Sequence, residues 1–339
     1  MPDPSPARLA LVGCGGFARH HLRQMLRLPV PPRVRWLCEP SPAAVAATAR
    51  LFSDAGLPVP PNQPDLGRLL ADGAGELDAA LVVTPHAAHC EQGVACLEAG
   101  LDVLMEKPMT LSVAEAERLI AARDRTGRAL MVAFPASLSP RLRAAVALRQ
   151  CGELGDLVGI SASLWENWAA TYAGTWRHEP ALSGGGFLFD TGAHLTNTVF
   201  ELAGEEFVEV AAHLDGRGRP VDTRAAIVAR TASGALATLF TCGEAAASAS
   251  ARIHAFYTGA DLHTDAWASQ VQIQRRGESA PRPLEAPDPP CAWAQFEAVR
   301  AGRMANPGPA ESGLRVVRLW EAAVESARRG GAPVAVGGS

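Results

Sequence analysis

Lysine is almost missing from this chain: of 31 basic residues one, Lys107, is lysine and every other is arginine. Long apolar runs are missing as well, since no stretch reaches the roughly 20 residues a membrane-spanning helix needs. No positive block precedes the short apolar run 9–12 in the manner of a secretory leader. Neither end is basic, and a formal net charge of −4 offers no general attraction to nucleic acid phosphates or anionic lipid. The seven cysteines (Cys14, Cys38, Cys90, Cys96, Cys151, Cys242 and Cys291) show no C-x-x-C spacing, so neither a disulfide framework nor a metal site is expected. These absences leave a cytoplasmic protein with a small-molecule partner and no nucleic acid or membrane to bind.

What is present is an ordinary globular composition, 48% hydrophobic and 19% charged over 339 residues, enough for about two domains. The first third alternates short apolar runs at 9–12, 34–38, 79–83, 103–105 and 129–134 with helical patterns at 17–28, 42–51, 90–99 and 113–125. That rhythm is the signature of a parallel sheet covered by helices. After Pro135 one helix at 141–149 gives way to strand-like segments at 158–164, 208–214, 225–230, 236–241 and 253–257, with hairpin signals at Asp215-Gly216 and Ser233-Gly234. A proline-rich surface loop is expected at 278–290, then closing helices near 293–301 and 313–328. The fold class read from this is α/β: a doubly wound parallel Rossmann domain at 1–134 and a second α/β domain with a large, mostly antiparallel open sheet at 135–339.

The run Gly13-Cys14-Gly15-Gly16-Phe17-Ala18 is G-x-G-x-x-A, directly after a strand and before a helix. Gly13 permits a tight turn, Gly15 lets backbone approach a pyrophosphate, Ala18 lets helix and strand pack closely, and the helix N-terminus meets the phosphate charge. Glu39 ends the second strand where an acidic side chain accepts from both adenosine ribose hydroxyls and repels a 2′-phosphate, so NAD is expected over NADP, with NADP possible.

Lys107, in Glu106-Lys107-Pro108, stands just past a strand's carboxyl end, where doubly wound sheets bind ligands. A compact ammonium fits beside a small hydroxyl where a guanidinium demands more room. Further on, Gly184-Gly185-Gly186 points to a close backbone approach, and Asp190, His194 and Asn197, at i, i+4 and i+7, would share one helical face. A carboxylate beside an imidazole can orient a general acid or base, although a capping aspartate with a packed histidine gives the same pattern.

Taken together these motifs resemble the Gfo/Idh/MocA oxidoreductases. Besides the glycine turn and Glu106-Lys107-Pro108, the segment Thr84-Pro85-His86-Ala87-Ala88-His89 looks like the family's T-P-x-x-x-H. Gly152-Glu153-Leu154-Gly155 resembles its entry to the second domain, and Trp176-Arg177, the triple glycine, Asp190, Gly192 and His194 follow in family order. The resemblance implies NAD held by Gly13, Gly15, Gly16, Phe17, Ala18, Glu39, Thr84, Pro85, His89, Glu106 and Lys107. It implies catalysis by Lys107, Asp190 and His194, and a homodimer or homotetramer formed through the second domain's sheet. Tyr172, Trp176, Arg177 and Asn197 join the three as candidate substrate contacts, with core packing an equal reading of the two aromatics. Two departures stand out: Asn197 replaces the family's usual aspartate, and Pro135 and Ser137 stand where asparagine and arginine are common.

The expected activity is hydride transfer between a secondary alcohol of a sugar, cyclitol or related polyol and nicotinamide. Two other functions use the same parts: a glycosidase acting by transient oxidation and elimination, and a non-catalytic NAD- or sugar-binding protein.

Overall fold

The structure is a computed structural model that describes residues 6–246 and 249–337. Most of the N-terminal stretch on which the reading of a missing leader rests lies outside the described residues. The chain forms two compact units.

The first unit, residues 6–109, 114–133 and 290–310, is built on five parallel strands: β1 (Arg8–Val12), β2 (Arg33–Cys38), β3 (Ala79–Val82), β4 (Asp102–Met105) and β5 (Leu130–Val132). Their order is β2-β1-β3-β4-β5. Residues 9–12, 79–82 and 130–132 are wholly buried, as expected of strands covered on both faces. Because β2 lies on one side of β1 and β3 on the other, the order reverses there, and the crevice beyond the carboxyl ends at that point is where such sheets bind ligands.

Between the strands run α1 (Gly16–Met25), α2 (Pro42–Asp54), α3 (Leu66–Gly73), α4 (His89–Glu98) and α5 (Val113–Thr126). Pro42 opens α2, and the Ser41 hydroxyl accepts from the Ala44 N–H at 3.4 Å. The helix α3 is absent from the sequence expectations. Two glycines within eight residues lower its propensity, but the Asp65 carboxylate caps it by accepting from Arg68 N–H at 2.9 Å.

Residues 290–310 pack in the first unit, where the second domain was expected. The Val132 N–H donates to the Gly308 carbonyl at 2.7 Å and the Asn306 amide to the Leu130 carbonyl at 2.8 Å, covering the edge strand β5. From the helix Ala292–Arg300, the Arg300 guanidinium donates to Asp102 at 2.8 Å.

The second unit holds nine strands: β6 (Leu157–Trp165), β7 (Phe207–Asp215), β8 (Arg224–Thr231), β9 (Leu236–Cys242), β10 (Ser250–Tyr257), β11 (Ala260–Thr264), β12 (Val271–Arg275), β13 (Arg282–Pro283) and β14 (Val334–Ala335). Their order is β13-β12-β11-β10-β6-β9-β8-β7-β14, with β6 and β9 parallel and the other pairs antiparallel. Strict alternation of buried and exposed residues along β8 shows one face on the core and one outward. Val208, Val228, Leu236 and Phe240, all exposed, lie on the outward face. The helix Gly192–Ala203 packs on β6 and β10. No described helix is long and apolar enough to cross a membrane.

Candidate functional site

In the first unit, Gly13 has φ +91°, and a Cβ there would lie 2.2 Å from the Val83 carbonyl oxygen, so glycine is required by the neighbouring strand end. Gly15 and Gly16 are the reverse case: a Cβ on either would meet nothing within 4 Å. The α1 N-terminus is therefore open, with Gly15 as its cap and Ala18 buried beneath. Phe17 is half exposed beside it. The Glu39 carboxylate accepts from the Cys14 N–H and the Ser41 N–H, both at 2.8 Å. Each oxygen keeps a lone pair for a further donor. Burial pushes the Cys14 thiol up to about 12, so it is no nucleophile at neutral pH.

Glu106 follows β4 and is buried, with one oxygen 2.6 Å from Nε2 of His21 on α1 and the other accepting the Lys107 N–H at 3.1 Å. Burial alone would raise its pKa; the His21 bond, the His21 and Lys107 charges and the Lys107 N–H outweigh that and hold the carboxyl below its ordinary value. The Lys107–Pro108 peptide is cis. His89, expected to touch the cofactor, is fully buried, with Nδ1 2.8 Å from the Pro108 carbonyl and Nε2 2.9 Å from the Thr84 carbonyl. The Thr84 hydroxyl donates to Gln92 at 2.6 Å, and Pro85 precedes the short turn His86–Ala88.

In the second unit, the helix carrying His194 starts at Gly192, so Asp190 lies in the turn before it and not on the helical face expected for the three residues. Asp190 Oδ2 accepts from Trp168 Nε1 and from Arg177 Nε, each at 2.9 Å. The Arg177 guanidinium also lies 4.4 Å from the Tyr172 ring centroid and 4.6 Å from that of Trp176. His194 is buried, its ring centroid 6.1 Å from Trp267. Asn197 is 1% exposed and donates to the Ser137 hydroxyl at 2.9 Å. That interior bond joins two of the positions at which the sequence departs from the family pattern.

The triple glycine also has an internal cause. A Cβ on Gly186 would sit 1.8 Å from the Asp222 carbonyl oxygen, and one on Gly185 would meet Trp320 at 2.5 Å. The close approach expected there is to the protein's own chain.

Residues 7–134 match the model of an oxidoreductase family with an NAD-binding Rossmann fold, and residues 142–263 match the GFO/IDH/MocA C-terminal domain. The chain belongs to the Gfo/Idh/MocA oxidoreductase family. Its first unit is accordingly an NAD-binding domain. Inositol 2-dehydrogenase 2 of Saccharopolyspora erythraea is 29% identical over 240 residues, 67% of this chain and 64% of that protein. The D-xylose 1-dehydrogenase [NADP(+)] of Haloarcula marismortui is 30% identical over 131 residues, 38% of this chain and 36% of its own. The chain thus spans about a third of the length of several curated relatives it matches. Among solved structures, an aldose-aldose oxidoreductase from Caulobacter crescentus complexed with glycerol superposes with a TM-score of 0.81 at 24% identity, covering 97% of this chain and 99% of that one. A levoglucosan dehydrogenase in complex with NADH and levoglucosan gives 0.82 at 21%, covering 98% and 99%. At these identities the likeness carries the fold.

Two residues around the Gfo/Idh/MocA motifs escaped the sequence expectations. His21 pairs with Glu106 across 85 positions, a separation no local pattern exposes. Asp222 accepts from the Gly186 and Leu188 N–H groups at 2.8 and 2.9 Å and so fixes the triple-glycine turn. Neither stands in a recognisable motif.

Proposed function

We propose that the protein is a nicotinamide-dependent dehydrogenase acting on a secondary alcohol of a sugar, cyclitol or related polyol. The observation that carries it is the placement of the chain's one lysine, two residues beyond β4, in the same sheet whose first turn leaves Gly15 and Gly16 open to a dinucleotide. NAD bound at that turn supplies the hydride acceptor. Gly13, Gly15, Gly16 and the α1 N-terminus hold the pyrophosphate, and Glu39, fixed by Cys14 and Ser41, accepts from the ribose hydroxyls and repels a 2′-phosphate. NAD is therefore the preferred form.

His194 takes up the hydroxyl proton, and the Lys107 ammonium offers charge to the oxygen as it becomes alkoxide. Asp190, held by Trp168 and Arg177, orients His194, and Arg177 with its aromatic neighbours contacts the polyol. The outward face of the nine-stranded sheet, with Val228 and Phe240 about half exposed, is the surface for a homodimer or homotetramer. All seven cysteines are free, in keeping with the cytoplasm.

The deciding experiment is a screen of sugars, cyclitols, sugar acids and glycosides with NAD and NADP, following nicotinamide absorbance and product mass. Substrate-dependent reduction of NAD supports the assignment. Glycoside cleavage without net reduction, or cofactor binding without turnover, replaces it by one of the other two functions. In the active pair, His194→Asn should keep NAD affinity and lose about a hundredfold in turnover.

A further inference from the structure

The two nitrogens of His89 face two carbonyl oxygens, Pro108 O at 2.8 Å and Thr84 O at 2.9 Å. A carbonyl can only accept, and a neutral imidazole has one N–H, so both contacts are hydrogen bonds only when the ring carries two protons and a positive charge. The ring is wholly buried, which makes an unpaired charge costly. Burial, the largest influence, pulls its pKa below the ordinary histidine value, and the two carbonyls and the Glu106 carboxylate offset only part of that, with Lys107 adding to the lowering. Against this stands the geometry, in which each nitrogen meets an acceptor and neither meets a donor. The groups around it are Glu106, Lys107 and, 5.8 Å between ring centroids, His86.

The carbonyls belong to the turns that follow two adjacent strands, β3 and β4. On the other side of Lys107, the Glu106 carboxylate is held by His21 and in turn holds the Lys107 N–H. Lys107 thus sits between two residues, Glu106 and Pro108, each anchored by a different buried histidine.

We propose that His89 is a positioning residue: a doubly donating, charged imidazole that ties the turn after β3 to the turn after β4 and, with His21 and Glu106 on the other flank, fixes the backbone from which Lys107 reaches its target. The consequence for turnover rests on the assignment of Lys107 to the reacting hydroxyl; the charge and the tether do not.

The wild-type protein supplies the first test. With 15N-labelled histidine, both His89 nitrogens should show the shifts of a protonated pair at neutral pH, assigned by their loss in His89→Gln; a neutral tautomer overturns the proposal. The second uses the solitary lysine, because reductive methylation with 13C gives one dimethyl-lysine signal apart from the terminal amine. Glutamine can donate to one carbonyl and not both, so His89→Gln should shift that signal and its titration midpoint, lower kcat about 10- to 100-fold and leave the NAD Kd within about twofold. An unmoved signal overturns the tether even if stability falls. If Lys107→Met retains full turnover while the signal moves in His89→Gln, the tether stands and the role of Lys107 fails.

Discussion

Arg177 donates from Nε to the same oxygen of Asp190, at the same 2.9 Å, as Trp168 does from its indole nitrogen. The carboxylate is buried and the guanidinium partly exposed, lying against two aromatic rings. Asp190→Asn keeps the shape and removes the charge. It should cost roughly 2–3 kcal/mol in denaturant unfolding, the range for a charged hydrogen bond, and lower turnover. Stability within about 0.5 kcal/mol of wild type would mean Arg177 finds another partner.

Gly13 and Gly15 separate folding from binding. Gly13→Ala drives a Cβ into the Val83 carbonyl at a positive φ and should cost about 3 kcal/mol or more. Gly15→Ala meets nothing in the protein, so its thermal midpoint should barely move while its NAD affinity, measured by fluorescence titration, falls at least tenfold. Undiminished affinity in Gly15→Ala places the pyrophosphate elsewhere.

Glu39→Ala should weaken NAD binding and narrow the gap to NADP. Glu39→Gln retains one acceptor oxygen and should fall between. Equal Kd values for both cofactors across wild type and variants would remove Glu39 from the ribose contact.

Desolvation raises the pKa of Asp222 above its ordinary value, and the Leu188 and Gly186 N–H bonds recover part of the difference. Its contribution to stability is therefore complete below the unfolded aspartate pKa, about 3.9, and is lost as pH rises through the elevated folded value. Asp222→Asn should flatten that part of the stability profile. At neutral pH it should also cost about 1–2 kcal/mol, because one of two N–H donors loses its acceptor. An unchanged dependence of urea unfolding on pH above the ordinary aspartate range would assign the titration to another group.

Lys107→Arg should rescue little of the turnover lost in Lys107→Met, since the guanidinium is broader and directed differently. An amine-selective reagent reacts only at Lys107 and the terminal amine, and bound NAD should slow the reaction at Lys107. Normal turnover in the arginine variant, or one modification rate with and without NAD, makes Lys107 a bystander.

The sequence made the Rossmann unit legible because its strands are continuous apolar runs punctuated by glycine. It served less well for β11 and β12, where Asp261-Leu262-His263 and Val271-Gln272-Ile273 alternate correctly but are short and polar on one face. The motif residues Gly13, Glu39 and Lys107 are visible because each stands at a strand end. The partners that fix them are tertiary, as with His21 and Glu106, and a chain cannot display those until it is folded. Asp190 was placed on a helix because i, i+4 spacing is compatible with one. The helix instead begins two residues later, as the turn is closed by Gly192 N–H donating to the Phe187 carbonyl.

The segment 290–310 that closes the first unit gives the chain a built-in order of events. Edge strand β5 cannot be covered, nor Asp102 paired with Arg300, until residues beyond β13, the eighth of the second sheet's nine strands, have been made. During synthesis the β5 edge therefore has no cover from 290–310 until most of the second unit has been made. A truncated chain ending near residue 289 would keep every cofactor motif, leave β5 uncovered and Asp102 without Arg300, and should be cleaved by protease faster than the full chain.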